Sequence, residues 1–64
     1  MMKKYMVIIK DDQGEQFAYF FDSIELAENC RMNSECGMGW YAAVYAWMKQ
    51  DPEDPYEPET YIEI

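Results

Sequence analysis

The sequence lacks histidine and carries few cationic side chains, which limits the chemistry available to it. Five lysine or arginine residues stand against thirteen aspartate or glutamate residues, so the 64-residue chain has a formal net charge of -8. Direct binding to nucleic acid is not expected, because phosphate contacts depend on lysine and arginine. Catalytic cysteines and zinc sites usually need a histidine that this chain cannot supply. We therefore expect a protein that is not an enzyme and holds no metal or other cofactor.

Long apolar runs are also lacking. No run reaches the roughly 18 apolar residues of a membrane-spanning helix, and the apolar run at residues 5–9 is too short for a signal peptide. Half of the residues are hydrophobic and 17% are aromatic, which argues against a disordered tail. The composition and the short length predict a single small domain over residues 1–64.

Only two cysteines are present, Cys30 and Cys36, and both fall in a predicted helix. Six residues along a helix they would stand roughly 9 Å apart along its axis. A disulfide needs Cα atoms within about 7 Å, so an internal bridge is not expected. Two unpaired thiols indicate a reducing compartment, and we expect the protein to be cytoplasmic. Cys30 is interpreted as a small core residue and Cys36 as incidental.

The first third of the chain predicts a β-hairpin. Residues 4–10 and 15–21 are rich in β-branched and aromatic residues, and the Asp-Asp-Gln-Gly stretch between them suits a type I turn closed by a left-handed glycine. Placing Asp11 opposite Glu15 sets a register of three further pairs on one face: Ile9 with Phe17, Val7 with Tyr19, and Tyr5 with Phe21. The other face receives Met6, Ile8, Ala18 and Phe20, so both faces of the hairpin are apolar.

A helix start follows the hairpin. Asp22 is interpreted as an N-cap with Glu25 as its capping-box partner, and Phe21 with Leu26 as a hydrophobic staple. The helix is predicted to run to about residue 35 or 36, where Gly37 can adopt the left-handed conformation that ends helices.

The two sides of this helix differ in character. Its predicted packed side is narrow and made largely of small residues, namely Leu26, Ala27, Cys30 and Ser34. The opposite side holds Glu25, Glu28, Asn29, Met32 and Glu35, and Arg31 is spaced to reach Glu28 or Glu35. A narrow packed side predicts that the helix lies close against a sheet.

The second half of the chain predicts one or two further strands. Residues 40–48 are interpreted as a strand, although their alanines make a helix over 41–50 a competing prediction. Residues 51–58 contain three prolines and are predicted to form an acidic, proline-rich loop. Residues 60–64 alternate in polarity and could form a short strand beside the third. The expected class is α+β, a three- or four-stranded antiparallel sheet with one helix on one face, in the order β-β-α-β.

One helix can cover only one face of such a sheet. The face richest in small residues (Ala18, Ala42, Val44 and Ala46) is the expected bed for the helix. The opposite face would present some combination of Tyr5, Phe17, Tyr19, Phe21, Tyr41, Tyr45 and Trp47. Either the C-terminal segment folds back and covers this face with Tyr56, Tyr61 and Ile62, or the face is a dimer or partner interface, as large exposed apolar patches usually are.

Acidic residues concentrate at the end of the chain. Residues 51–64 contain six acids and no base, whereas residues 1–10 contain three lysines and no acid. Such a run is commonly a solvated tail. A sharper interpretation joins it to the helix glutamates as a surface that steers the protein toward a basic groove. The candidate acidic binding residues are Glu25, Glu28, Glu35, Asp51, Glu53, Asp54 and Glu57. The candidate aromatic anchors are Tyr41, Tyr45 and Trp47.

The chain resembles the small acidic inhibitor proteins of phages and mobile elements. The resemblance consists of its size, its charge, the acidic run DPEDPYEPE, the helix glutamates and the compact strand-strand-helix-strand order. These include anti-CRISPR proteins, DNA mimics and host-polymerase inhibitors. The resemblance is one of class without a diagnostic motif, so no residue role is carried over. It implies a phage-type inhibitor that binds a nucleic-acid enzyme or defence complex in the host cytoplasm and blocks substrate access.

Two alternatives remain open. The first is an antitoxin or assembly subunit, a homodimer that uses its aromatic sheet face as an oligomer contact. The second is a regulatory protein that binds a small molecule or a metal ion.

Overall fold

A four-stranded antiparallel sheet with one helix on one of its faces forms the structure, a computed structural model that describes residues 3–64. The strands are β1 (Tyr5–Lys10), β2 (Gln16–Phe21), β3 (Tyr41–Met48) and β4 (Thr60–Glu63), and the helix α1 (Ile24–Met32) connects β2 to β3. The strand order in the sheet is β2-β1-β3-β4. The predicted α+β class is confirmed, with the short C-terminal strand included.

The hairpin has the predicted register. Strands β1 and β2 pair Tyr5 with Phe21, Val7 with Tyr19, and Ile9 with Phe17. The turn closes with a hydrogen bond from Asp11 N to Glu15 O at 3.0 Å, and Gly14 has the left-handed φ of 85° that the predicted bulge requires. Local turn chemistry and strand alternation therefore agree here.

Strand β3 is a strand and not the competing helix. It lies beside β1 at the centre of the sheet, where Val44 pairs with Val7 and Ala42 with Ile9. Ala42 and Val44 are buried beneath α1. Alanine costs some β-propensity, but its small side chain lets the helix approach, so packing decides the conformation.

The start of the helix corrects the predicted cap. Ser23 and not Asp22 is the N-cap, because its Oγ accepts a hydrogen bond from Leu26 N at 3.2 Å. The capping frame therefore moves by one residue, and Glu25 no longer occupies the capping-box position. Leu26, expected in the staple and on the packed side of the helix, is 53% exposed. The buried contacts on the packed side come from Ala27 and Ser34, with Cys30 half-buried beside them.

The end of the helix also differs from the prediction. After Met32 the chain continues as a π-helical segment, Asn33–Met38, and the left-handed residue that ends it is Gly39 (φ 72°), not Gly37. The N–H of Gly39 donates to Ser34 O, a span of five residues that is typical of a π-helix. Ser34 is itself buried and donates its hydroxyl proton to Cys30 O at 3.0 Å.

The core lies mainly on one side of the sheet, and of the buried apolar residues in the described chain only Ala43 (6% exposed) lies on the other. The buried members of the core are Val7, Ile9, Ala27, Ala42 and Val44, and Tyr5, Phe21, Cys30 and Trp40 pack around them. The predicted bed for the helix is wrong at Ala18, which pairs with Ile8 and so lies on the opposite face from Ala42 and Val44. The helix instead packs on the face that carries Tyr5, Val7 and Phe21.

Candidate partner-binding surface

The sheet face opposite α1, termed the helix-free face, is an apolar surface that no helix of the described residues covers. Strand alternation and register place nine apolar or aromatic side chains on it, together with the polar side chains of Lys10, Gln16 and Glu63; the nine are Met6, Ile8, Ala18, Phe20, Tyr41, Ala43, Tyr45, Trp47 and Tyr61. The three candidate aromatic anchors belong to this set. Four other aromatic residues that were expected here lie on the helix side of the sheet instead, namely Tyr5, Phe17, Tyr19 and Phe21.

One end of the helix-free face is an aromatic cluster of Phe20, Trp47 and Tyr61. The Tyr61 ring lies 5.0 Å from the Trp47 ring in an edge-on arrangement and 5.9 Å from the Phe20 ring, centroid to centroid. The Tyr61 hydroxyl donates to Lys3 O at 2.7 Å. Phe20 and Tyr61 belong to the two outer strands, so the cluster links both edges of the sheet. Paired rings in this geometry stabilise one another beyond their buried area, by about 0.5–1.5 kcal/mol.

The C-terminal strand extends the sheet and does not fold across it. Tyr61 does lie on the helix-free face, but Tyr56 is 91% exposed in the loop, and Ile62 pairs with Ala46 on the helix side. The prediction that these three residues together cover the face is wrong. Part of the face stays open, since Tyr41 is 61% exposed and Phe20 46% exposed, whereas Ala43 in β3 is buried.

The three candidate anchors form a row along β3. Tyr41 and Trp47 stand at its two ends, about 20 Å apart at the rise of an extended strand. Tyr45 lies between them, opposite Glu63. The pKa of the Tyr45 hydroxyl is raised, mainly by burial and then by the neighbouring Glu63 carboxylate. The hydroxyl therefore stays protonated at neutral pH and can donate a hydrogen bond. The row therefore combines one exposed ring, Tyr41, with two half-buried rings, Tyr45 and Trp47.

Residues 51–58, termed the acidic loop, form two β-turns in succession. Asp54 N donates to Asp51 O and Glu57 N to Asp54 O, each at 3.2 Å. Within each turn the first aspartate also accepts a backbone N–H through its side chain, from Glu53 at 3.1 Å and from Tyr56 at 2.9 Å. Aspartate at the first position and proline at the second both favour a β-turn. The sequence has this Asp-Pro pair twice, beginning at Asp51 and at Asp54, and each pair was a signal for a turn. Asp51 and Asp54 thus hold the loop in shape.

Two hydrogen bonds place the acidic loop, and Glu59 directly after it, beside the end of β3. Trp47 Nε1 donates to Glu59 Oε2 at 2.8 Å, and Lys49 Nζ donates to Asp54 O at 3.3 Å. Trp47, Lys49, Pro52 and Glu59 line an open cleft of about 540 Å³ between β3 and the loop. Glu59 was not predicted as a site residue, since the contact joins side chains twelve positions apart.

Basic residues lie at the same end of the molecule as the acidic loop. Trp47 N donates to Lys4 O at 2.8 Å, which places the start of β1 beside the end of β3. Lys3, Lys4 and Lys49 therefore stand near the loop, and Lys10 pairs with Tyr41 at the far end of the sheet. These neighbouring lysines offset part of the field of the loop carboxylates.

The candidate helix glutamates occupy a separate surface. Arg31 bridges two of them, with nitrogen–oxygen distances of 2.8 Å to both Glu28 and Glu35. Its hydrogen bond to Glu28 is the main cause that raises the pKa of Arg31. Glu25 is exposed in the first helical turn. All three glutamates lie on the helix side of the sheet, so the structure does not bring them together with Tyr41, Tyr45 and Trp47.

A second cleft, of about 400 Å³, lies between the π-helical segment and the sheet. Its lining includes Ile9, Tyr19, Cys30, Met38 and Trp40. Cys30 and Cys36 are both free thiols, and burial raises the pKa of Cys30, which keeps its thiol protonated and weakly nucleophilic. Within residues 3–64, no group of three or more cysteine, aspartate or glutamate side chains is arranged to hold a metal ion.

Comparison of the chain with protein-family models, with curated protein sequences and with solved structures found no match. In the part of the chain that the structure describes, no helix is long and apolar enough to cross a membrane. The fold and surface define a small acidic α+β protein with one open aromatic sheet face. Its function has to be argued from that surface, because a fold of this kind does not imply an activity.

Proposed function

We propose that this protein is a non-enzymatic inhibitor that binds a nucleic-acid-handling protein through its helix-free face and its acidic loop. Such an inhibitor, of an anti-CRISPR or other anti-defence type, would block substrate access in the cytoplasm of a host cell. The observation that carries the proposal is the hydrogen bond from Trp47 to Glu59, the residue directly after the acidic loop, which places the end of the loop beside the aromatic cluster. Two features that are separate in the sequence become neighbours.

The aromatic part of this surface supports binding to a protein. Tyrosine and tryptophan dominate interface hot spots because they bury a large area at a small cost in side-chain entropy. Tyr41 is open to a partner, and the Phe20, Trp47 and Tyr61 rings are already held in place by one another. A preorganised cluster loses little freedom on binding, which favours affinity.

The acidic part supports a partner that handles nucleic acid. Glu53 is exposed and Glu57 half-buried in the two turns, and the Asp51 and Asp54 carboxylates each accept one local N–H group. Together these residues can occupy basic positions that a nucleic-acid enzyme reserves for phosphates. The helix glutamates lie on the other side of the sheet and are not needed for this contact.

The open sheet face also favours a second function, an antitoxin or assembly subunit that uses this face as an oligomer contact. A chain of this length buries only about 60% of its unfolded surface, so association would add to its stability. This alternative predicts a dimer that the Trp47→Asp variant abolishes. A monomer in light scattering at high micromolar concentration, with the wild-type chain, would contradict it.

The inhibitor proposal is tested with a panel of purified CRISPR effector nucleases in a DNA-cleavage assay. We expect at least one to be inhibited stoichiometrically, with binding that weakens strongly between roughly 50 and 500 mM salt as charges are screened. The variant Asp51→Asn/Glu53→Gln/Asp54→Asn/Glu57→Gln should slow association at least tenfold, since asparagine retains the oxygen that caps each turn.

The matched control is Glu28→Gln/Glu35→Gln, which removes two carboxylates from the opposite side of the sheet and should leave inhibition unchanged. Tyr41→Ala should weaken binding with little effect on folding, because that ring is mostly exposed. The proposal is overturned if no nuclease of the panel is inhibited, or if inhibition depends on the helix glutamates and not on the acidic loop.

A further inference from the structure

Strand β2 is an unprotected outer edge of the sheet. It pairs with β1 on one side, and no strand of residues 3–64 pairs with it on the other. Between Gln16 and Phe21 it carries no charge, no proline and no glycine. The rings of Phe17, Tyr19 and Phe20 are between 39% and 48% exposed. An exposed apolar edge of this kind is a template for pairing with another strand.

The opposite edge of the same sheet is protected. Strand β4 has four residues against six in β2. It is preceded by Pro58 and Glu59, and it contains Glu63. Short length, proline and charge are the devices by which proteins prevent pairing at an edge. Only β2 lacks all of them.

The hydrogen-bonding groups on the free side of β2 can be identified from the hairpin. Asp11 N donates to Glu15 O, so these two residues form a hydrogen-bonded pair. Pairs alternate along an antiparallel ladder, and Phe17, Tyr19 and Phe21 therefore bond to β1. The N–H and C=O groups of Gln16, Ala18 and Phe20 point outward from the sheet.

We propose that β2 pairs antiparallel with β2 of a second copy of this chain, with Ala18 on the two-fold axis. The two sheets then become one continuous sheet of eight strands, with both helices on the same side. This proposal does not rest on the proposed inhibitor function, because it uses the outward backbone groups at the edge of the sheet, where Ala18 and Phe20 only border the helix-free face.

The sequence of β2 fits this symmetric register. Ala18 of each copy faces Ala18 of the other, where small side chains and outward backbone groups allow close approach. Phe17 of each copy lies opposite Tyr19 of the other, and aromatic cross-strand pairs stabilise sheets. The nearest acids, Glu15 and Asp22, fall at the two ends of the paired segment. Two chains of charge -8 can therefore meet without apposed carboxylates.

The dimer would also shelter the second cleft. Tyr19 lines that cleft, and Phe17 of the second copy would stand beside it. The interface is small, since three partly exposed rings offer only roughly 250 Å² of apolar surface per copy. Stable interfaces bury about 1,200–2,000 Å² in total, so we expect a weak dimer that is mostly dissociated at a few micromolar and forms at hundreds of micromolar.

Sedimentation velocity of the full chain between 1 and 500 μM tests the proposal. The wild-type chain should shift from monomer to dimer across this range. Ala18→Pro removes an outward N–H and no bond to β1, so it should stay monomeric at all concentrations while its circular dichroism is unchanged. Glu63→Pro, which removes an outward N–H at the β4 edge, is the matched control and should dimerise normally.

The register has its own test. Ala18→Lys and Ala18→Asp each place like charges together on the axis, and each variant alone should dimerise at least tenfold more weakly. An equimolar mixture should recover dimerisation, because lysine then faces aspartate. A monomeric wild-type chain at 500 μM, an Ala18→Pro dimer, or a mixture that fails to recover would overturn the proposal. So would a wild-type dimer that only Trp47→Asp dissociates, since that dimer would use the helix-free face.

Discussion

Ile8 and Ile9 are adjacent in β1, and their side chains lie on opposite faces of the sheet. Comparing substitutions at the two positions shows how differently the two faces are covered. Ile9 is 4% exposed beneath α1, whereas Ile8 is half-buried on the helix-free face. Both lie in a central strand and both pair with an alanine of β3. Replacing each with alanine changes the β-propensity equally, so the difference between the variants reports on burial.

The expected magnitudes are well separated. Ile9→Ala should reduce the free energy of unfolding by about 3 kcal/mol, within the usual range for a core isoleucine. Ile8→Ala should cost about 1 kcal/mol, because its side chain is partly hydrated and leaves no closed cavity. A domain of this length has only about 3–10 kcal/mol of stability, and each kcal/mol corresponds to about 4–8 °C in Tm. Ile9→Ala should thus lower Tm by about 12–24 °C.

Urea denaturation at a few micromolar protein, followed by tryptophan fluorescence and circular dichroism, measures both variants. The low concentration keeps self-association out of the comparison. An Ile8→Ala loss equal to or greater than that of Ile9→Ala would refute the one-sided core. It would mean that the helix-free face is covered in the isolated chain, and the binding surface proposed above would no longer exist.

Three further predictions follow from single features of the structure. Cys36 should react with a thiol reagent such as Ellman's reagent at least tenfold faster than Cys30 at pH 8, which variants with one cysteine each would show; equal rates would contradict the burial of Cys30. Ser23→Ala should cost about 1 kcal/mol in urea denaturation as the loss of an N-cap, whereas Asp22→Ala should cost much less, and the reverse order would restore the cap predicted from sequence. Because the pKa of Tyr45 in the folded state lies above the unfolded pKa of 10.0, its protonated hydroxyl stabilises the fold in full at pH values below 10.0. This stabilisation is lost as pH rises through the folded pKa. Tyr45→Phe should therefore flatten the alkaline fall in unfolding free energy, and an unchanged slope would contradict this.

The helix start shows where local reasoning reaches its limit. Asp22 and Ser23 are both good N-cap residues, and Glu25 three positions after Asp22 fits a capping box. The choice between them depends on where β2 ends and how the chain turns over the sheet, which fixes the side of the helix that packs. Because that turn is a tertiary feature, a rule based on spacing selected the wrong neighbour, and Leu26 was misplaced with it.

Short-range patterns in the sequence determined the class, the hairpin register and the loop. Each depends on alternation or turn chemistry over a few residues. The tertiary structure alone decided which sheet face the helix takes, since that requires the register of β1 against β3, two strands separated by the whole helix. It also decided the contacts that build the candidate surface, from Trp47 to Glu59 and from Tyr61 to Lys3, because side chains distant in sequence meet only after the sheet has formed.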